Sequence, residues 1–238
     1  MPRFELTAEA VEKALTAESS AERVHLFQRF FKTGPGQYGE GDRFLGVTNV
    51  PTQRVIAKRF ADLPLNEVEL LLQSPWHECR LTALFILNLR MKQKDVQEAV
   101  VELYLRNLDY VNNWDLVDSS AGEILGLWLE SRDRGVLQEL AHSGHLWRER
   151  VAIVATFKFI RKDDIADTLK LAKQYLTHSH DLIHKATGWM LREAFKRKPQ
   201  DIRDFLDTYA ATMPRTMLRY TIELMDGTER KHYLGSPH

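Results

Sequence analysis

Four residues spaced 35 apart, Arg80, Asp115, Arg150 and Lys185, each stand near the start of an apolar helical stretch. Glu78-Cys79-Arg80-Leu81-Thr82-Ala83 compares with Arg148-Glu149-Arg150-Val151-Ala152-Ile153 and with Ile183-His184-Lys185-Ala186-Thr187-Gly188. Each has a charged residue in third place, then small and apolar residues suited to close packing. Met217-Leu218-Arg219-Tyr220 is a weaker echo. A period of this size built from helix pairs restricts the chain to a stacked α-solenoid, in which each pair buries its apolar face against its neighbours. The tetratricopeptide signature is missing, so the pairs are HEAT-like. Stacked pairs curve. One helix of each pair is therefore expected to line a concave surface, with the polar residue at each repeat start projecting from it.

The rest of the chain agrees with an all-α class. Nearly every segment has helical periodicity, and no run of β-branched residues alternates at period two. Glycine and proline gather at the breaks: residues 34–41, then Pro51, Pro64, Pro75, Pro199 and Pro214. Between them the pattern predicts helices near 5–17, 20–32, 51–61, 65–73, 77–91, 94–108, 113–131, 134–142, 147–161, 165–177, 181–196, 200–211 and 215–226. The expected organisation is one repeat domain over 1–238. Its parts are N-terminal helices and a glycine-rich loop (1–45), a helix-pair array (46–228) and a tail (229–238).

Composition excludes several classes. With 238 residues, 44% of them apolar, the chain can bury a sizeable core. Its most apolar stretch, Leu81 to Leu89, is far too short for a membrane span. Cys79 is the only cysteine, so internal disulfides and cysteine-cluster zinc sites are excluded. No secretory signal is visible, and a cytoplasmic monomer without metal or cofactor is the expectation. Formal net charge is zero, yet residues 1–120 carry 14 basic and 17 acidic side chains, and the remainder 19 and 16. The asymmetry is weak and does not by itself identify a nucleic-acid surface.

The most chemical stretch is Asn112-Asn113-Trp114-Asp115-Leu116-Val117-Asp118. Asp115 and Asp118, three apart, share a helix face with Trp114, four before Asp118. Acids suit a helix start, where free N–H groups and the macrodipole favour negative charge. The plain reading is a capped turn beside a packing aromatic, with Asp115 as cap and support. Trp189 follows Gly188 in a helix interior, where glycine costs about 1 kcal/mol against alanine and marks a close approach, of DNA or of another helix. Trp128 and Trp147 read as packing residues. His178, His180 and His184 lack a companion acidic or cysteine ligand set. The 34–41 loop follows a helix, which excludes a dinucleotide or P-loop role and leaves a hinge or a close approach to DNA. No histidine is placed to make a hydrolase triad with Ser119 or Ser120.

Taken together, four segments resemble the AlkD family of DNA alkylation-repair glycosylases. They are the Lys32–Asp42 loop running into Phe44-Leu45-Gly46-Val47, Trp114-Asp115-Leu116-Val117-Asp118, Leu146–Ala152, and Ala186–Glu193. The resemblance covers nearly the whole chain. It implies removal of positively charged N3- or N7-alkylated purines from duplex DNA. It also implies catalytic roles for Trp114, Asp118 and Trp189, and DNA contacts from Arg150 and, near an aromatic position of the family, Phe30. Arg148, Lys158, Lys185 and Arg192 are further candidates for phosphate contact. The chemistry suits these residue types. An alkylated purine is already a cationic leaving group, and a carboxylate can stabilise the positive charge that grows on the sugar. Indole faces offer cation–π contact to the same charge. Two other functions compete: a non-catalytic relative that binds distorted or branched DNA, and a HEAT-like protein scaffold, which the zero net charge favours.

Overall fold

A computed structural model describes residues 5–47 and 49–235 of the chain. It is all-helical, as the periodicity predicts, and the described residues contain no strand beyond two isolated bridges, Ser19–Val47 and Arg43–Trp76. Two compact units divide it, Met1–Ile124 and Leu125–His238. No described helix is long and apolar enough to cross a membrane.

The first unit contains α1 (Ala8–Thr16), α2 (Ala21–Phe30), α3 (Val50–Arg59), α4 (Leu65–Leu72), α5 (His77–Arg90), α6 (Gln97–Arg106) and α7 (Trp114–Ser120). Its centre is α5, buried continuously from His77 to Leu87 and packed against α3, α4, α6 and α7. The helix starts follow their local sequence. Thr7 caps α1 by accepting from Ala10 N–H at 3.2 Å, and Asn49 caps α3 by accepting from Thr52 N–H at 2.8 Å. By contrast α2 buries no residue fully and leaves Leu26 and Phe30 exposed.

Where the glycine-rich segment rejoins the core, buried Glu78 accepts from three successive amides, Leu45 (2.9 Å), Gly46 (2.8 Å) and Val47 (3.1 Å). Gly46 has φ +85°, and a Cβ there would stand 2.3 Å from the Ser20 carbonyl oxygen, so only glycine fits. Within the loop itself, a Cβ on Gly39 would stand 2.3 Å from the Phe31 carbonyl oxygen, so this glycine closes on its own chain. Gly39 N–H donates to Lys32 O at 3.2 Å.

The second unit contains α8 (Leu127–Leu129), α9 (Gly135–Ala141), α10 (Leu146–Ala155), α11 (Phe157–Ile160), α12 (Ala166–Gln174), α13 (Asp181–Phe195), α14 (Pro199–Tyr209), α15 (Arg215–Thr221) and α16 (Gly227–Leu234). Here α13 is central, packed on α10, α12, α14 and α15. Gly188 explains its closest contact, because a Cβ would come within 2.5 Å of the Met217 carbonyl oxygen on α15. The close approach signalled by this glycine is to a neighbouring helix.

Two expectations change. The stretch 113–131 is helical but not one regular α-helix: α7 ends at Ser120, a π-helical turn, Gly122–Gly126, follows and carries the boundary between the units, and α8 continues to Leu129. Residues 229–238 are not simply a tail, since α16 runs to Leu234. Asp226 caps it by accepting from the Thr228 and Glu229 amides, and Tyr233 is buried with its hydroxyl donating to Asp207 at 3.0 Å.

Candidate functional site

The Trp114 turn is held at both ends. Buried Asn113, not Asp115, is the cap, and its Oδ1 accepts from Trp114 N–H at 2.9 Å. At the far end Asn88 donates to Ser119 O at 2.8 Å, and the hydroxyls of Tyr104 and Ser120 meet at 3.0 Å. Asp115 turns to His77, whose Nε2 lies 2.8 Å from its Oδ2. On the other side of the ring, His77 Nδ1 lies 2.7 Å from Asp42 Oδ2, and Arg80 donates to Asp42 Oδ1 at 2.6 Å. Asn113 Nδ2 adds a longer bond of 3.3 Å to Asp42.

These charges sit in the core, with only 2% of the His77 side chain exposed. Burial opposes charging of His77, but Asp115 and Asp42 outweigh it and push its pKa up to about 9. Burial would likewise raise Asp42, yet His77 and Arg80 bring it down to about 2. Because the folded-state value of His77 lies above its ordinary 6.5, its stabilising contribution is full below about pH 6.5. That contribution declines as pH rises and is gone above about 9.

The aromatic side chains form a continuous wall over this network. Phe31 stacks on Trp114 (5.6 Å, 27°), on Phe44 (5.2 Å, 16°) and against His77 (4.7 Å, 38°). Phe30, 61% exposed, meets Trp114 edge-on at 5.7 Å. This wall lines a cavity of about 920 Å³ that Asp115, Asp118 and Glu123 also reach. Trp114 and Asp118 are both half-buried beside it, so the predicted pairing of indole and carboxylate on one face is present. Three cations share the cavity lining and make no ion pair among the described residues: Arg54, Lys58 and Lys92. Arg54 lies over the Phe85 ring at 4.1 Å.

In the second unit, Trp189 is half-buried on α13, its ring 5.9 Å from Phe157. Arg150 is buried, only 5% exposed, and donates to the Leu182 carbonyl oxygen at the start of α13. Lys185 pairs with Asp181 at 2.8 Å, and Arg148 is half-buried on α10. Arg192 is paired with Glu223. The residues at the repeat starts therefore do not all project outward, since Arg80 and Arg150 are interior groups. His178 pairs with Glu149 at 2.9 Å and His180 caps α13 through Leu182 N–H at 3.1 Å. His184 bonds the His178 carbonyl oxygen. The described residues include no group of three side chains placed to hold a metal. Trp147 is buried, as a packing residue should be, and Trp128 is half-buried under the Arg132 guanidinium at 3.4 Å.

Sequence reasoning overlooked His77, Asp42, Phe31 and the three cavity cations. Asp42 had one visible signal, as the last residue of a loop whose fixed turns deliver it to the core.

Three comparisons bear on this site. No curated protein matches the chain at a significant level. In fold it is similar to a solved structure described as a predicted DNA alkylation repair enzyme from Enterococcus faecalis. The identity is 17%, the match spans 88% of this chain and 98% of the other, and the TM-score is 0.68. The family model for DNA alkylation repair enzymes matches residues 11–225, which includes the Trp114 turn, the aromatic wall and Trp189. The chain belongs to the DNA alkylation repair enzyme family.

Proposed function

We propose that the protein is a monofunctional alkylpurine DNA glycosylase, acting as a monomer on duplex DNA that carries N3- or N7-alkylated purines. The observation that carries this reading is that half-buried Asp118 and Trp114 line one aromatic cavity with Arg54, Lys58 and Lys92, which make no ion pair among the described residues. The lesion base is cationic and leaves without protonation. Glycosidic cleavage places positive charge on the sugar, and Asp118 opposes it more strongly in the transition state than in the ground state. Trp114 adds an apolar face that tolerates a cation. The reading retains Trp189 as a second indole toward the deoxyribose. Arg148, Lys185 and Phe30 contact DNA, and buried Arg150 supports the helix start from which its neighbours do so. Arg54, Lys58 and Lys92 join the phosphate contacts.

Incubation of the protein with a duplex carrying one N7-methylguanine tests this reaction. The expected product is an intact strand with an abasic site that alkali cleaves, and borohydride should trap no protein–DNA adduct. In this reading Asp118, a carboxylate, faces the sugar, where a Schiff base would need an amine. A trapped adduct lost on Lys185→Ala would refute the assignment. Binding should also weaken steeply with salt, the log–log slope growing by roughly 0.9 for each phosphate neutralised. Affinity indifferent to salt in an equilibrium titration would favour the protein scaffold.

A further inference from the structure

The ring of His77 stands between two carboxylates, Asp42 from the loop and Asp115 from α7. Carboxylates only accept. A neutral imidazole has one N–H and one lone pair, so it satisfies one of them and turns a lone pair toward the other. The imidazolium serves both. The same ring packs on Phe31 and Phe44, and Phe31 stacks on Trp114. His77 therefore holds α7 twice, through Asp115 on its first turn and through Phe31 at the Trp114 ring.

We propose that His77 is a positioning residue for the Trp114–Asp118 turn, its doubly protonated ring latching α7 to the loop and to the aromatic wall. Loss of the second proton opens that joint. The kinetic consequence rests on the glycosylase reading; the structural consequence does not. The charged groups facing the ring are few. Asp42 comes from the loop, Asp115 from α7, and Glu78 and Arg80 from its own helix. Glu78 is engaged by the loop amides. Arg80 is engaged by Asp42 and by the Ser74 carbonyl oxygen. Asp118 lines the same cavity. The two carboxylates that grip the His77 ring hold its pKa up near 9.

Asp115→Asn provides the discriminating variant. An asparagine amide can donate to the lone pair of neutral His77 while the other ring nitrogen donates to Asp42, so the latch no longer needs the extra proton. Single-turnover release of N7-methylguanine is measured for wild type and variant from about pH 7.5 to about pH 10, with folding checked at each pH. In wild type the rate should lose about tenfold per pH unit above about 9, and in the variant that limb should be absent. The lesion is common to both proteins, so its own pH chemistry cancels in the ratio of rates. A second readout needs no activity. With 5-fluorotryptophan incorporated, the Trp114 resonance, assigned through Trp114→Phe, should titrate with a midpoint near 9 in wild type. A rate ratio that stays flat with pH, or a Trp114 resonance indifferent to pH, overturns the proposal. If wild type releases no base at any pH, the glycosylase reading fails, and the fluorine titration alone decides the latch.

Discussion

Asp118→Asn is expected to lower base release by about 10²–10³-fold while the chain stays folded and DNA affinity holds or rises slightly. Asparagine keeps the shape and hydrogen-bonding capacity of the side chain and removes only its charge. If that charge opposes a sugar cation, its loss resembles removal of one preorganised electrostatic group, about 2.7–4 kcal/mol of transition-state stabilisation. The fold should tolerate the change, because the helix start does not depend on it. Asn113 provides the cap, and Asp115 provides the anchor to His77. A carboxylate near a helix N-terminus contributes only about 0.3–1 kcal/mol. Affinity should not fall, since a repulsion with phosphate disappears. Asp115→Asn is the internal control, with a smaller kinetic effect near neutral pH and a larger effect on stability. Thermal melts and DNA titrations on both variants separate these contributions from the rate.

Glu78→Gln should be the most destabilising conservative change in the first unit. One carboxylate accepts from three consecutive amides, two at Oε1 and one at Oε2, and the residue is 1% exposed. Glutamine retains a single acceptor oxygen, so its NH₂ would face an amide donor, either at Leu45 or at Gly46 and Val47. At roughly 1.5–3 kcal/mol for each hydrogen bond to a charged group, the loss should reach several kcal/mol. The melting temperature should fall by roughly 2–4 °C for each of these. The affected segment lies between Asp42 and α3, so the variant should also loosen the Asp42–His77 contact and slow base release. A melt indistinguishable from wild type would show that the loop is not held by this clamp.

Much of this was legible in the sequence where local physics decides the outcome. Helical periodicity between glycine and proline breaks gave the helices, and the spacing of Trp114 and Asp118 put them on one face. Gly188 announced a close approach, which proved to be α15. What escaped was long-range. Nothing local in Ser74-Pro75-Trp76-His77 says that His77 will receive Asp42 and Asp115, which are 35 and 38 residues away. The charge recurring every 35 residues does fall near the starts of α5, α7, α10 and α13, but it misled about direction, because burial of Arg80 and Arg150 depends on partners elsewhere in the chain. Two signals were present and went unread. Gly122 and Gly126 interrupt the 113–131 pattern where the π turn forms. Asp226-Gly227-Thr228-Glu229 is an acidic cap with glutamate three residues on, and it starts α16. That helix shows little amphipathic contrast, so periodicity passed over it.

The proposed reaction at this site is cleavage of a glycosidic bond. Its most direct measurement is chromatographic detection of free N7-methylguanine after a single turnover of excess protein on a duplex bearing that base, with Asp118→Asn alongside at equal DNA occupancy. Wild type is expected to release free base, and the variant to do so at a rate lower by about two orders of magnitude or more. Wild-type protein that binds the duplex and releases no base, or an Asp118→Asn variant that releases it at the wild-type rate, would contradict the proposal.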